Sequence, residues 1–251
     1  MASPVQGTVR VATSTSVEDS GLPGWLFPRF TKTHGIQVQV VSVGSGKALR
    51  LGAAGDVDLV LSHAPRLEQE YVQKGELLDR REVMVNHFIL LAPPQDPAGA
   101  AKALSLKAAL AQIRKTQGVF FSRGDGSGTH ILEQKTWKSL GVVPQGEWYR
   151  PTGLGMGATL MIADEVGGYV ICVDATYYAF KGRLRLRPVI WGDPAMKNPY
   201  SLLSAPSGAG VHHREAAILK EWMLSEEGQQ AIGEFKVNGR RLFAPVKGGG
   251  K

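Results

Sequence analysis

The chain has 251 residues, 43% of them apolar, enough for one large domain or two modest ones with their own cores. Its formal charge of +7 and isoelectric point near 9.5 suit an anionic partner, but the basic residues are scattered and the densest groups, Arg80-Arg81 and Lys181 to Arg187, lie in no nucleic-acid-binding motif, so smaller anions are favoured over nucleic acid. A single cysteine, Cys172, excludes an internal disulfide and a thiolate metal cluster, and no apolar run approaches the ~18 residues of a membrane span.

In chain order, the N-terminal MASPVQGTVR lacks the charged-then-apolar layout of a signal peptide. Val9 to Ala12 reads as a first strand, running into Thr13-Ser14-Thr15-Ser16 and then Glu18 and Asp19, the hydroxyl-then-acid pattern of a helix start. Leu22 to Phe30 carries Trp25, Leu26 and Phe27 and predicts a helix with Pro23 in its first turn. Gln37 to Val43 is a second strand, delivering Gly44-Ser45-Gly46 to a helix over Lys47 to Leu51. Asp58 to Leu61 is a third, ending in Ser62-His63-Ala64-Pro65. Three times the order is strand, small or hydroxyl residues, then a helix or turn, which predicts a parallel sheet with its loops gathered at the strand C-terminal edge.

Val83 to Ala92, a long apolar run closed by Pro93-Pro94, suits a strand or crossover entering a second lobe. The expected division is residues 1–86 with 197–251, and 87–196. A helix follows over Ala100 to Gln117, then a strand end at Val119 to Phe121, and a helix through Trp137. Glu147 to Tyr149 leads to Gly153-Leu-Gly-Met-Gly-Ala158 and a helix over Thr159 to Val166. Gly168 to Val173, Leu186 to Ile190 and Ser201 to Ala205 read as strands. Helices over Arg214 to Met223 and Glu226 to Glu234 close the fold, with Lys247-Gly-Gly-Gly-Lys251 as a flexible tail.

The stretch Phe120 to His130, FFSRGDGSGTH, gathers Arg123, Ser127, Thr129 and three glycines just before a helix. A helix N-terminus presents unpaired N–H groups and the positive end of the macrodipole, and glycines let backbone approach an anion closely. An ordinary glycine turn, with Ser127 or Thr129 as a helix cap, is the competing reading of this segment.

Other motifs fail on inspection. Gly44-Ser45-Gly46-Lys47 resembles the end of a phosphate-binding P-loop, but Val41 and Ala48 stand where that pattern requires Gly and Ser or Thr. Gly153-x-Gly155-x-x-Ala158 follows WYRPT, a poor buried strand for a dinucleotide fingerprint. The six histidines show no metal spacing, Cys172 sits in an apolar context that suits the core, and Ser127 with His130 has no orienting acid in its segment. What remains is a set of hydroxyl- or glycine-bearing helix starts with neutral donors and one arginine, a design for binding an oxyanion without chemistry; no enzyme activity, cofactor or protein-coordinated metal is expected.

The chain resembles the tungstate-binding proteins, the TupA-like solute-binding components of ABC importers. The resemblance covers nearly the whole chain, through Ala12-Thr-Ser-Thr-Ser16, Val43-Gly-Ser-Gly46, Gly55-Asp-Val-Asp58 leading to His63-Ala64-Pro65, Ser122-Arg-Gly-Asp125 with Ser127-Gly-Thr129-His130, Gly155-Met-Gly-Ala-Thr159, and Gly192-Asp-Pro194 with Asn198 to Ser201. It implies an α/β, two-lobed, periplasmic-binding-protein-like (type II) fold with a ligand cleft between lobes. It assigns Ser14, Thr15 and Ser16 to a first hydroxyl loop, Ser45 to a second, Arg123, Ser127 and Thr129 to an arginine loop, and Gly155, Met156 and Gly157 to a last glycine loop. Ser14 and Ser45 depart from the family's usual threonines, and Val170-Ile-Cys-Val-Asp174 stands where a threonine-containing segment is usual. The resemblance further implies a monomeric periplasmic or membrane-anchored extracytoplasmic protein that delivers tungstate or molybdate to an ABC permease.

Two alternatives stand beside that reading, with an enzyme of phosphoester or acyl transfer a more distant one. In a phosphate-binding protein, a carboxylate such as Asp125 or Asp58 would accept the proton that phosphate keeps at neutral pH. The other is an oxyanion-sensing domain of a larger regulatory protein.

Overall fold

The computed structural model describes residues 7–208 and 210–246, so the readings of the first six residues and of the glycine tail fall outside it. The chain opens with β1 (Gly7–Ser14), α1 (Thr15–Asp19), α2 (Leu22–His34), β2 (Ile36–Val43), α3 (Ser45–Ala54), β3 (Leu59–Ser62), α4 (Pro65–Gln73) and β4 (Leu78–Ala92). It continues through α5 (Leu106–Thr116), β5 (Phe120–Ser122), α6 (Gly128–Ser139), β6 (Tyr149–Pro151), α7 (Met156–Val166), β7 (Tyr169–Val173), α8 (Asp174–Phe180) and β8 (Arg187–Ile190). It ends with β9 (Lys197–Ser204), α9 (His213–Leu224), α10 (Glu226–Glu234) and three two-residue strands, β10 (Lys236–Val237), β11 (Arg240–Arg241) and β12 (Ala244–Pro245). Two compact units result, one from the chain up to Val85 and from Pro199 onward, the other from Asn86–Asn198, and β4 and β9 are the strands that pass from one to the other.

In the first unit β1 lies between β2 and β3 and is parallel to both, with Ser14 opposite Val43 and Thr13 opposite Leu61. That register carries the loops after β1, β2 and β3 to one edge. The returning β9 pairs antiparallel with β3, Ser62 opposite Ser201, so the sheet is mixed where the sequence predicted a parallel one. Helix α3 packs closely because Gly52 faces β3: a Cβ there would stand 2.3 Å from Val60 Cγ2. Ala12, Ala48, Leu49, Val60 and Leu203 fill that side.

The second unit repeats the plan, with β5 parallel to β6 and β7, and β4 antiparallel to β7. Both faces are covered, and the side-chain period of two sorts the residues. Phe88, Leu90, Tyr169, Ile171 and Val173 meet α5 and α6 residues on one face; Ile89, Leu91, Val170 and Cys172 meet α7 residues on the other. Cys172 is accordingly fully buried.

One expectation needs correction besides the sheet. The predicted helix Ala100 to Gln117 breaks into a short 3-10 turn, Ala100–Lys102, and α5, because Ser105 caps the latter, its Oγ accepting from Ala108 N–H at 3.2 Å. Restarting there puts Leu106, Ala109, Leu110 and Ile113 on the core face and leaves Leu104 in solvent. WYRPT, read as a poor buried strand, agrees with that reading: it contains β6, a largely exposed outer strand beside β5.

Candidate functional site

In the first unit, three sequence-predicted residues sit where β1 gives way to α1. Ser14, the last residue of β1, makes no side-chain cap; its Oγ lies 2.9 Å from Ser16 Oγ, and both residues are buried, with Thr15 half-buried between them. Ser16 Oγ in turn lies 3.5 Å from His63 Nε2, at the end of β3. On the neighbouring strand, Gly44 has no side chain with which to cap α3, and Ser45, its first residue, is 1% exposed. The Ser45 Oγ is buried without a hydrogen-bond partner among the described residues. Leaving a hydroxyl so costs about 1–3 kcal/mol, a cost that a ligand oxygen removes. Ser201 Oγ, at the same edge through its register with Ser62, is buried in the same condition.

The second unit gathers its predicted residues on the loops after β5 and β6. Arg123 directly follows β5 and is 2% exposed, and its Nη2 donates to Asp125 Oδ2 at 2.5 Å. The other oxygen, Oδ1, accepts from Ser127 N–H at 3.0 Å, so one carboxylate holds the guanidinium and the start of α6 together. Gly124 permits this turn: its φ is +63°, and a Cβ would meet Pro151 Cβ at 2.9 Å. Ser127 caps α6, its Oγ accepting from His130 N–H, which leaves its hydroxyl proton to donate elsewhere. Thr129 Oγ1 is buried with no partner among the described residues.

The glycine loop adjoins this one, since Gly153 N–H donates to Arg123 O at 2.8 Å. Gly155 takes the cap position of α7 with no side chain to fill it, so the first N–H groups of that helix, at Met156 and Gly157, are offered by backbone alone. The Met156 side chain belongs to the core. His130 Nδ1 accepts from Gly126 N–H at 2.9 Å, which engages the ring within the loop rather than as a base for Ser127.

The electrostatics limit negative charge around this edge. Burial pushes the Glu133 carboxyl up to about 7, against hydrogen bonds that favour its ionised form, among them Tyr149 O–H at 2.8 Å and Trp137 Nε1–H at 3.2 Å. Burial likewise pushes Asp174, at the end of β7, up to about 7. Asp58 is different: it lies at the far end of β3 from Ser62, is bound by Arg10 at 2.7 Å and His212 N–H at 2.9 Å, and is held down to about 2, with burial opposing those hydrogen bonds.

His63 and Ser201 are the residues of this edge to which sequence reasoning gave no role. Both stood inside the quoted family motifs, His63-Ala64-Pro65 and Asn198 to Ser201, and that was the signal.

Two α/β units, each with hydroxyl or uncapped helix starts at the C-terminal edge of parallel strands, define a class of oxyanion-binding α/β protein. Residues 2–227 match the PBP superfamily domain. The chain is 38% identical over 246 residues to the tungstate-binding protein TupA of Peptoclostridium acidaminophilum, covering 96% of this chain and 86% of that protein. Among solved structures, the tungstate ABC transporter from Geobacter sulfurreducens matches with a TM-score of 0.85 and 39% identity, over 91% of this chain and 98% of that one. The tungstate-binding protein TupA from Desulfovibrio alaskensis G20 matches with a TM-score of 0.82 and 36% identity, over 97% and 99%. The chain belongs to the PBP superfamily and, within it, to the family of TupA-like solute-binding proteins.

Proposed function

We propose that this protein binds tungstate as an oxyanion and delivers it to an ABC permease, acting as an extracytoplasmic, monomeric binding protein and not as an enzyme. Ser14, Thr15, Ser16 and Ser45 of the first unit and Arg123, Ser127, Thr129 and the N–H groups of Gly155 to Gly157 of the second are its ligand contacts. The observation that carries this reading is the buried hydroxyl of Ser45, without a partner among the described residues and set at an uncapped helix start. Thr129 Oγ1 repeats it in the second unit. Such groups are donors awaiting an acceptor, and a fully deprotonated tetrahedral oxyanion offers only acceptors. Molybdate, of the same shape and charge, uses the same contacts.

Phosphate fits less well. Asp125 has both oxygens engaged, by Arg123 and by Ser127 N–H, and Asp58 is bound by Arg10 and His212 away from the hydroxyl loops, so neither is poised to take the proton of hydrogen phosphate. Equilibrium dialysis against tungstate, with the metal content measured afterwards, tests the proposal: about one tungsten per chain is expected, and none at saturating ligand would refute it.

A further inference from the structure

His63 is placed with more care than a core histidine needs. It follows β3 directly, is 2% exposed, and its ring stacks on Tyr200 with centroids 5.0 Å apart and planes 20° from parallel. Phe243 braces Tyr200 edge-on at 5.6 Å. The backbone just beyond is pinned as well, since Ala64 N–H donates to Glu68 Oε1 at 2.7 Å and Arg80 holds Glu68 Oε2 at 2.8 Å. The stack fixes the plane of the ring, and Nε2 faces Ser16 Oγ at 3.5 Å, the long end of the hydrogen-bond range, with Ser14 Oγ 2.9 Å further on.

Counting protons along this chain gives the consequence. Ser14 and Ser16 have two hydroxyl protons, and the hydrogen bond between them uses one. If Nε2 accepts, Ser16 gives its proton to the ring, Ser14 gives its own to Ser16, and the pair turns only lone pairs toward a ligand. If Nε2 carries a proton and donates, Ser16 is satisfied as an acceptor and one hydroxyl proton of the pair is left over. The first arrangement suits a ligand that carries a proton; the second suits one that is fully ionised.

We propose that His63 keeps its proton on Nε2 and thereby sets the Ser14–Ser16 pair as a donor, making it a positioning residue that selects fully deprotonated oxyanions over protonated ones. This rests on the oxyanion reading above and adds to it the group that fixes the polarity of the first loop. The histidine itself need not touch the ligand.

The test uses wild-type protein, His63→Phe, which keeps a ring to stack on Tyr200 but has no donor, and His63→Gln, whose amide restores one. Each is titrated calorimetrically with tungstate and with phosphate, and the imidazole nitrogens of the wild type are observed by 15N NMR in the presence of tungstate. His63→Phe leaves the pair a spare hydroxyl proton but nothing to occupy the Ser16 lone pair, so it is expected to narrow the preference for tungstate over phosphate about tenfold, with tungstate affinity itself less affected. His63→Gln recovers most of that preference, and the NMR shows a protonated Nε2. An unchanged preference in His63→Phe, or an unprotonated Nε2, would overturn the proposal. Should His63→Phe not fold, the Nε2 resonance and the selectivity of His63→Gln decide. If the wild type binds no tungstate, the oxyanion reading itself fails, and the NMR then reports separately on the state of His63.

Discussion

Arg123 and Asp125, two residues apart, form a 2.5 Å ion pair in which the arginine is almost fully buried while the carboxylate also holds Ser127, the cap residue of α6. The pair makes Arg123 both a loop brace and a candidate ligand contact, and a mutant series separates the roles. Arg123→Ala should weaken tungstate binding roughly ten- to a hundredfold or more, the value of a charge-assisted hydrogen bond of about 1.5–3 kcal/mol. Lysine should restore only part, because it keeps the charge and loses the planar fork. A purely structural arginine would lower the melting temperature of the variant and leave its tungstate affinity unchanged.

Ser45→Ala should behave in the opposite way from most buried polar mutations. The hydroxyl has no partner among the described residues, so removing it costs the protein no hydrogen bond and should leave its melting temperature equal or slightly higher. Tungstate affinity should nonetheless fall by roughly tenfold or more. A melting temperature several degrees lower, with affinity intact, would show that the hydroxyl serves the fold.

Glu133 makes stability depend on pH in a direction opposite to the usual carboxylate. Its folded value is raised from 4.5 to about 7, so the folded chain holds a proton that the unfolded chain has lost. The contribution of Glu133 is therefore fully present below about 4.5 and is lost as the pH rises through 7, an amount of about 3 kcal/mol at 1.36 kcal/mol per pH unit. Glu133→Gln, which retains an oxygen for Tyr149 and Trp137, should flatten this slope in denaturant titrations at pH 5 and pH 8. An unchanged slope would place the pH dependence elsewhere, for example on Asp174, raised in the same sense.

Gly124→Ala should damage the arginine loop through backbone strain and the approach of Pro151 together, since its φ is positive and the added Cβ falls 2.9 Å from Pro151 Cβ. A loss of about 1–3 kcal/mol of stability is expected from urea unfolding, with weaker tungstate binding alongside. Gly126→Ala has the same strain at φ +71° but open space around it, and should cost less.

Most of the fold could be read from periodicity because its elements have one apolar face or are buried throughout, as in β1, β7, α2 and α9. Two helices gave a weaker signal. In α4 the apolar stripe is short, only Leu67, Tyr71 and Val72 partly buried against the core among polar and charged neighbours, and α8 follows β7 with no glycine or hydroxyl loop to announce a boundary. The break before Leu106 was signalled by Ser105 but masked by alanines that suit a helix on either side. In the candidate site, hydroxyl and glycine loops are visible locally, as are the charges they carry. Which hydroxyls end without a partner is not, because burial of Ser45 or Ser201 depends on what packs over them. The contact of His63 with Ser16 and Tyr200 joins three segments far apart in the chain, beyond the reach of any local pattern.

A donor set that recognises a fully deprotonated tetrahedral oxyanion should show itself in calorimetric titration of the wild-type protein with tungstate, molybdate, sulfate and phosphate at one pH and salt concentration. Saturable one-to-one binding of tungstate is expected, with molybdate next to it and phosphate far weaker. Phosphate binding tighter than tungstate, or no heat with tungstate at any concentration, would contradict that recognition.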